Sequence, residues 1–173
     1  RRMKDFAELF HDLDNMTKTN DRLNRLIRYF EDSKPEDAIW VCWFLSGNRI
    51  KGAIKTGELR NFLARRTKLP IWLIEECHDR VGDLAETIAL LIHQESKGEH
   101  LSLSQCIEEI IAIKTKEEAE KKSYILNRWK RFNNFERFVF NKILTGGFRI
   151  GISQKLMTRA LSKAVDIDEN ILA

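Results

Sequence analysis

Apolar residues recur three and four positions apart along almost the whole chain, which is the period of a helix and not of a strand. Met3, Phe6, Leu9, Phe10 and Leu13 form the first stripe and predict a helix to about Asp14. Leu23, Leu26, Ile27 and Phe30 form the second, after Thr17-Lys18-Thr19-Asn20, a turn rich in capping residues. Pro35, Glu36 and Asp37 open a third, since proline fits a first turn and acids suit its positive end. That helix is apolar nearly all round (Ala38, Ile39, Val41, Cys42, Phe44, Leu45), which predicts a central position ending at Gly47-Asn48.

The pattern continues. Thr56 is placed to cap a helix carrying Leu59, Phe62 and Leu63, and Pro70 starts another with Ile71, Trp72 and Ile74 packed inward. Gly82 breaks the chain and Asp83 caps a helix through Leu84, Ile88, Leu91 and Ile92. Ser102 or Ser104 opens a helix through Ile107, Ile110 and Ile111, and Thr115 is expected to cap Lys116 to Arg131. Phe135, Phe138, Val139, Ile143 and Leu144 make the next stripe, ending at Gly146. Ser153 caps the last helix, with Leu156, Met157, Ala160, Leu161 and Val165 on one face.

The expected fold is all-α, a two-lobed multi-helix domain of roughly ten helices. The polar stretch Glu95 to His100 reads as a linker between a lobe over 3–94 and a lobe over 101–173. No period of 20–50 residues repeats, which excludes a helical array. With 173 residues, the chain buries roughly 70% of its unfolded surface and needs no disulfide or metal staple. Cys42, Cys77 and Cys106 are isolated, which suits inert thiols in a reducing compartment. No apolar run reaches the roughly 20 residues of a membrane span, and no apolar segment follows Arg1-Arg2-Met3-Lys4 as a signal peptide requires. The expected location is the cytoplasm.

The net charge of +4 hides a strong asymmetry. Arg49, Lys51, Lys55, Arg60, Arg65, Arg66 and Lys68 face Glu58 as the sole acid of their segment. From Arg128 to Lys163 the only acid is Glu136, against nine basic residues. Clustered positive charge is the footprint of a polyanionic partner. Catalytic signatures are missing: there is no Walker loop, no HExxH and no metal-ligand spacing around Cys77-His78, and Glu75, Glu76 and Asp79 read as a solvated helix face. No metal site and no catalytic residue is expected in this chain.

Thr145-Gly146-Gly147-Phe148-Arg149-Ile150-Gly151-Ile152-Ser153 stands apart, with three of the eight glycines inside six residues. Glycine lets backbone amides approach a phosphate or sugar, a helix starting at Ser153 adds free N–H groups, and Arg149 adds a phosphate-matching fork. Helix punctuation accounts for Gly146 and Ser153 but not for Gly147, Arg149 and Gly151 together. Arg49, Lys51, Lys55 and Thr56, around Gly52, repeat the pattern more weakly; Lys116 and Lys122 offer a third group. Such contacts position a duplex without reading its sequence. Trp129 reads as core filler before it reads as a base-stacking platform.

Leu144 to Ile152 resembles the L-x-G-x-[LF]-R-[IV]-G-[LIV] signature that closes the N-terminal domain of ATP-dependent DNA ligases. Gly82-Asp83-Leu84-Ala85-Glu86 resembles the GD turn midway along that domain, and Phe6 to Phe10 with Thr17 to Asn20 resemble its first helices. The likeness spans essentially the whole chain and is to the bacterial type. It implies a two-lobed helical unit, monomeric, that binds nicked duplex DNA across the minor groove in repair, recombination or replication. It implies that Gly146, Gly147, Phe148, Arg149, Gly151 and Ser153 form the contact segment, with Lys155 beside it and Lys116 and Lys122 near a second region. Arg22 stands where relatives have lysine. The parent ligase uses ATP and Mg²⁺ to form a lysyl-AMP in a K-x-D-G motif. No K-x-D-G occurs here, so the resemblance implies an adenylation domain of the same polypeptide beyond Ala173, and no cofactor in this chain. Two rival readings are a protein–protein scaffold whose basic face meets an acidic partner, and a small helical base-excision enzyme using Asp83.

Overall fold

The computed structural model describes residues 3–93, 96–148 and 150–165. Among them are ten α-helices and no β-strand: α1 (Met3–Asn15), α2 (Thr19–Glu31), α3 (Pro35–Leu45), α4 (Thr56–Thr67), α5 (Ile71–Val81), α6 (Leu84–Leu91), α7 (Leu103–Ile113), α8 (Glu118–Arg131), α9 (Asn134–Thr145) and α10 (Gln154–Val165). The all-α expectation holds. The compact units, however, are not consecutive halves of the chain. One comprises 1–49, 101–104 and 147–173; the other comprises 50–100 and 105–146.

In the first unit α2 packs along α10 and against α1. The buried stripe of α2 is Leu23, Leu26, Tyr29 and Phe30; that of α10 is Leu156, Met157 and Ala160. The centre is aromatic. Phe148 lies 4.7 Å from Phe6, 4.9 Å from Phe10 and 5.6 Å from Phe44, centroid to centroid. Such edge and tilted ring pairs add about 0.5–1.5 kcal/mol each beyond area burial. Fully buried Asp37 accepts from the Ser104 amide at 3.0 Å, which holds 101–104 in this unit. α3 is less enclosed than its composition predicts: Val41, Phe44 and Leu45 are buried, but Ile39 is 67% exposed.

The second unit packs α6 on α9, α4 on α5 and α5 on α6. Its core includes Ile125, Trp129, Phe132, Phe140 and Ile143, all fully buried. The buried face of α9 also carries Glu136, Arg137, Asn141 and Lys142, whereas Phe135 is 43% exposed. Each of these polar side chains has at least one partner. Trp129 Nε1 donates to Asn141 Oδ1 at 2.7 Å. Arg137 donates to the carbonyls of Trp129 and Phe132. Lys142 pairs with Asp83 at 2.7 Å, while the other Asp83 oxygen caps α6 through the Glu86 amide.

Glu136 overturns the linker expectation for 96–100. Its carboxylate accepts from the amides of Glu99, His100 and Asn133 at 3.0–3.1 Å. The segment is thus fastened to the capping box that opens α9. Other expectations are corrected locally. Lys18, Lys55 and Glu117 are the N-cap residues of α2, α4 and α8, and none of them makes a side-chain cap bond. Thr19 and Thr56 sit one position inside their helices, and Thr115 falls outside α8. Trp72 is 66% exposed, so only Ile74 of its trio is buried.

Candidate nucleic-acid interface

Two basic surfaces form, one in each unit, and each is built from a loop that leads into a helix. α9, in the second unit, ends at Gly146, whose φ of 122° needs glycine, and the first unit resumes at Gly147. Gly147 follows at φ 84° and is buried. A Cβ there would sit 3.4 Å from the Asn48 carbonyl oxygen and 3.7 Å from Arg49 Cβ. Those are ordinary van der Waals distances, so the φ of 84° is what calls for glycine at 147, with the Asn48–Arg49 backbone packed alongside. That packing brings together two segments that are about a hundred residues apart in sequence: the glycine turn and the end of the α3 loop carrying Arg49. The Ile152 amide, 3.4 Å from the Leu45 carbonyl oxygen, adds a second tie to α3.

Phe148 is not available as a contact residue. It is 3% exposed at the centre of the aromatic core, so its ring anchors the turn from inside. Ile150 and Ile152 are likewise buried. Arg149, the expected fork, lies outside the described residues. Gly151, Ser153 and Lys155 are exposed, as is Arg49. Ser153 accepts from the Leu156 amide at 3.1 Å and so caps α10, as expected. Gly151 differs from its neighbours. Its φ lies outside the left-handed region, and an added Cβ would meet nothing within 4 Å. Among the described residues no contact calls for glycine there.

In the second unit Lys51, Lys55 and Thr56 are exposed in the loop that enters α4. An added Cβ at Gly52 would come within 3.8 Å of Lys114 Cε, so this loop borders the segment after α7. Lys114 is a basic residue that sequence reading missed; its only signal was proximity to Lys116. Gly57, in the first turn of α4, was also missed, and it too has open space around its missing Cβ. Lys116 is exposed and Lys122 half-buried. Their segment also carries Glu117, Glu118 and Glu120, which cancel much of its positive field.

Asp83, the carboxylate of the base-excision reading, spends its two oxygens on the α6 cap and on Lys142. Among the described residues no group of His, Cys, Asp and Glu is arranged to hold a metal, and no helix is long and apolar enough to cross a membrane. No curated protein matches the chain. The family profile described as DNA ligase N terminus matches residues 2–162, from the start of α1 to within α10. That match takes in both units and both basic loops, and on it the chain belongs to the family of N-terminal domains of ATP-dependent DNA ligases.

Proposed function

We propose that the chain grips nicked duplex DNA without reading its sequence, through phosphates and the minor groove, as the DNA-binding domain of a ligase that seals nicks in repair or recombination. The observation that carries this reading is Gly151: an exposed glycine, close to the positive-φ Gly147 turn, whose missing side chain no contact among the described residues explains. A nucleic-acid backbone drawn close to the peptide supplies the missing reason. Exposed Arg49 and Lys155 in the same unit, and Lys51 and Lys55 in the other, supply positive charge for phosphates. Arg149 joins the first group by its place in the sequence. The lysyl-AMP chemistry, with ATP and Mg²⁺, falls to an adenylation domain of the parent polypeptide, which is the domain's covalent partner. The domain works as a monomer in the cytoplasm.

The test separates contact from fold. Gly151→Leu is expected to unfold at the same denaturant midpoint as the wild type but to bind nicked duplex about tenfold more weakly, a loss of about 1.4 kcal/mol, by fluorescence anisotropy. Gly147→Ala is expected to lose stability instead, because its φ of 84° is a backbone conformation that an L side chain rarely adopts. Arg149→Ala is expected to weaken binding and flatten its salt dependence. Wild-type affinity in a folded Gly151→Leu protein would remove Gly151 from the interface.

A further inference from the structure

The outer side of α5 pairs a large apolar group with uncompensated negative charge. Trp72, Glu75, Glu76 and Asp79 stand at i, i+3, i+4 and i+7, so they form one stripe, and all four are exposed. Ile74, two positions on from Trp72 and about opposite to it on the helix, is the residue that α5 buries. Trp72 occupies the first turn at 66% exposure, next to Ile71 at 38%. It has no ring partner among the described residues. Trp40 and Trp43, by contrast, pack on each other and on Phe44, and Trp129 is fully buried. Single exposed aliphatic residues are common on protein surfaces. An exposed indole offers much more area, and tryptophan is among the residue types most enriched where a partner protein is anchored.

The charges beside it select the partner. Among the described residues only Glu76 of the three carboxylates has an ion-pair mate, the exposed Arg80 at 3.0 Å. Glu75 and Asp79 stay open on either side of that pair. The surrounding sequence deepens the field: from Glu75 to Glu99 there are seven acids against Arg80 and Lys97. Such a surface repels nucleic-acid phosphates and anionic lipid headgroups alike. It attracts cations, and an indole face flanked by carboxylates holds a Lys or Arg head through both charge and the ring. Carboxylates one turn apart match basic side chains spaced one turn apart on a second helix.

We propose that the outer face of α5 is a docking site for a basic amphipathic helix of a partner protein, with Trp72 as its apolar anchor and Glu75 and Asp79 as its charge-complementary contacts. The inference goes beyond the DNA reading and does not depend on it, since no residue of the basic loops takes part.

The probe is a short fluorescein-labelled helical peptide with lysines and leucines along one face, titrated into the full chain without DNA. Its anisotropy is expected to saturate with a Kd on the order of 100 μM and to weaken as salt is added. In the ¹⁵N-labelled protein the Trp72 indole N–H resonance is expected to shift while that of buried Trp129 stays in place. Trp72→Ala, and separately Glu75→Gln with Asp79→Asn, are expected to keep the wild-type denaturant midpoint and to bind the peptide at least about tenfold more weakly. Ile39→Ala, which removes an equally exposed apolar residue from α3, is expected to bind it unchanged. The same peptide with glutamates in place of the lysines is expected not to bind. Affinity that survives both Trp72→Ala and the double carboxylate variant, or no saturation up to about 2 mM peptide, would overturn the proposal. So would a Trp72 resonance that moves saturably with nicked duplex, which assigns the face to DNA, or one that moves with protein concentration alone, which assigns it to a second copy of the chain.

Discussion

Phe148 shows how a residue inside the glycine-arginine signature can belong to the core. Its ring touches Phe6, Phe10 and Phe44, so it sets the position of the glycine turn while Gly151 and Ser153 face outward. At the same scale, the Lys142–Asp83 pair is an ion pair with one partner nearly enclosed: the lysine side chain is 4% exposed and the aspartate 21%. Lys142→Met removes the cation and strands the carboxylate. The expected loss is about 2–4 kcal/mol of unfolding free energy, read from urea denaturation. Cys42 provides a pH test. Burial pushes its thiol up from 9.0 to about 11. A raised folded value means the native state holds its proton longer. The associated stability is complete below the ordinary thiol range and is lost as pH rises through about 11. At pH 8 its alkylation is expected to be about 100-fold slower than that of a free cysteine peptide, as followed by mass spectrometry.

At the scale of elements, α9 explains why a stripe of aromatic and aliphatic residues misled. Phe135 and Phe138 are helically spaced with Val139, yet the inward face is shared by Glu136, Arg137, Asn141 and Lys142. Those groups are admitted because each meets a specific partner, and that condition is invisible in a single sequence. Glu136 fastens 98–100 to the start of α9, where the missing side chain of Gly98 leaves room for the carboxylate. Glu136→Gln keeps the volume but weakens all three charge-assisted acceptances. Faster amide hydrogen exchange at Glu99 and His100 is expected, with a loss of about 1–3 kcal/mol. Unchanged exchange at those amides would mean that the loop is held by other contacts. Helix boundaries show a second limit. Thr56 and Thr115 were readable as caps, but the N-cap positions of α4 and α8 are Lys55 and Glu117, whereas Ser153, Asp83 and Asn133 do accept capping bonds.

At the scale of the whole molecule, Arg49 lies in one compact unit and Lys51 and Lys55 in the other, and the proposed grip on DNA predicts counterion release from both. The logarithm of the binding constant is expected to fall linearly with the logarithm of salt concentration, at about 0.9 per phosphate neutralised. Lys51→Ala with Lys55→Ala should lower that slope by about 2 and weaken binding alike on duplexes of unrelated sequence. A slope unchanged by the pair would exclude the second unit's loop from the interface.

The sequence by itself determined the helices, because an i, i+3, i+4 apolar period with few prolines admits no other regular structure. It also carried the glycine-arginine signature and the basic loops, since local composition is enough to write them. Only the tertiary structure decided which chain segments share a unit, that Gly147 is packed against Asn48 while Gly151 is open, and that Phe148 is core. These are properties of residues about a hundred positions apart brought into contact. Packing chooses among helix faces and turn glycines that look alike one residue at a time.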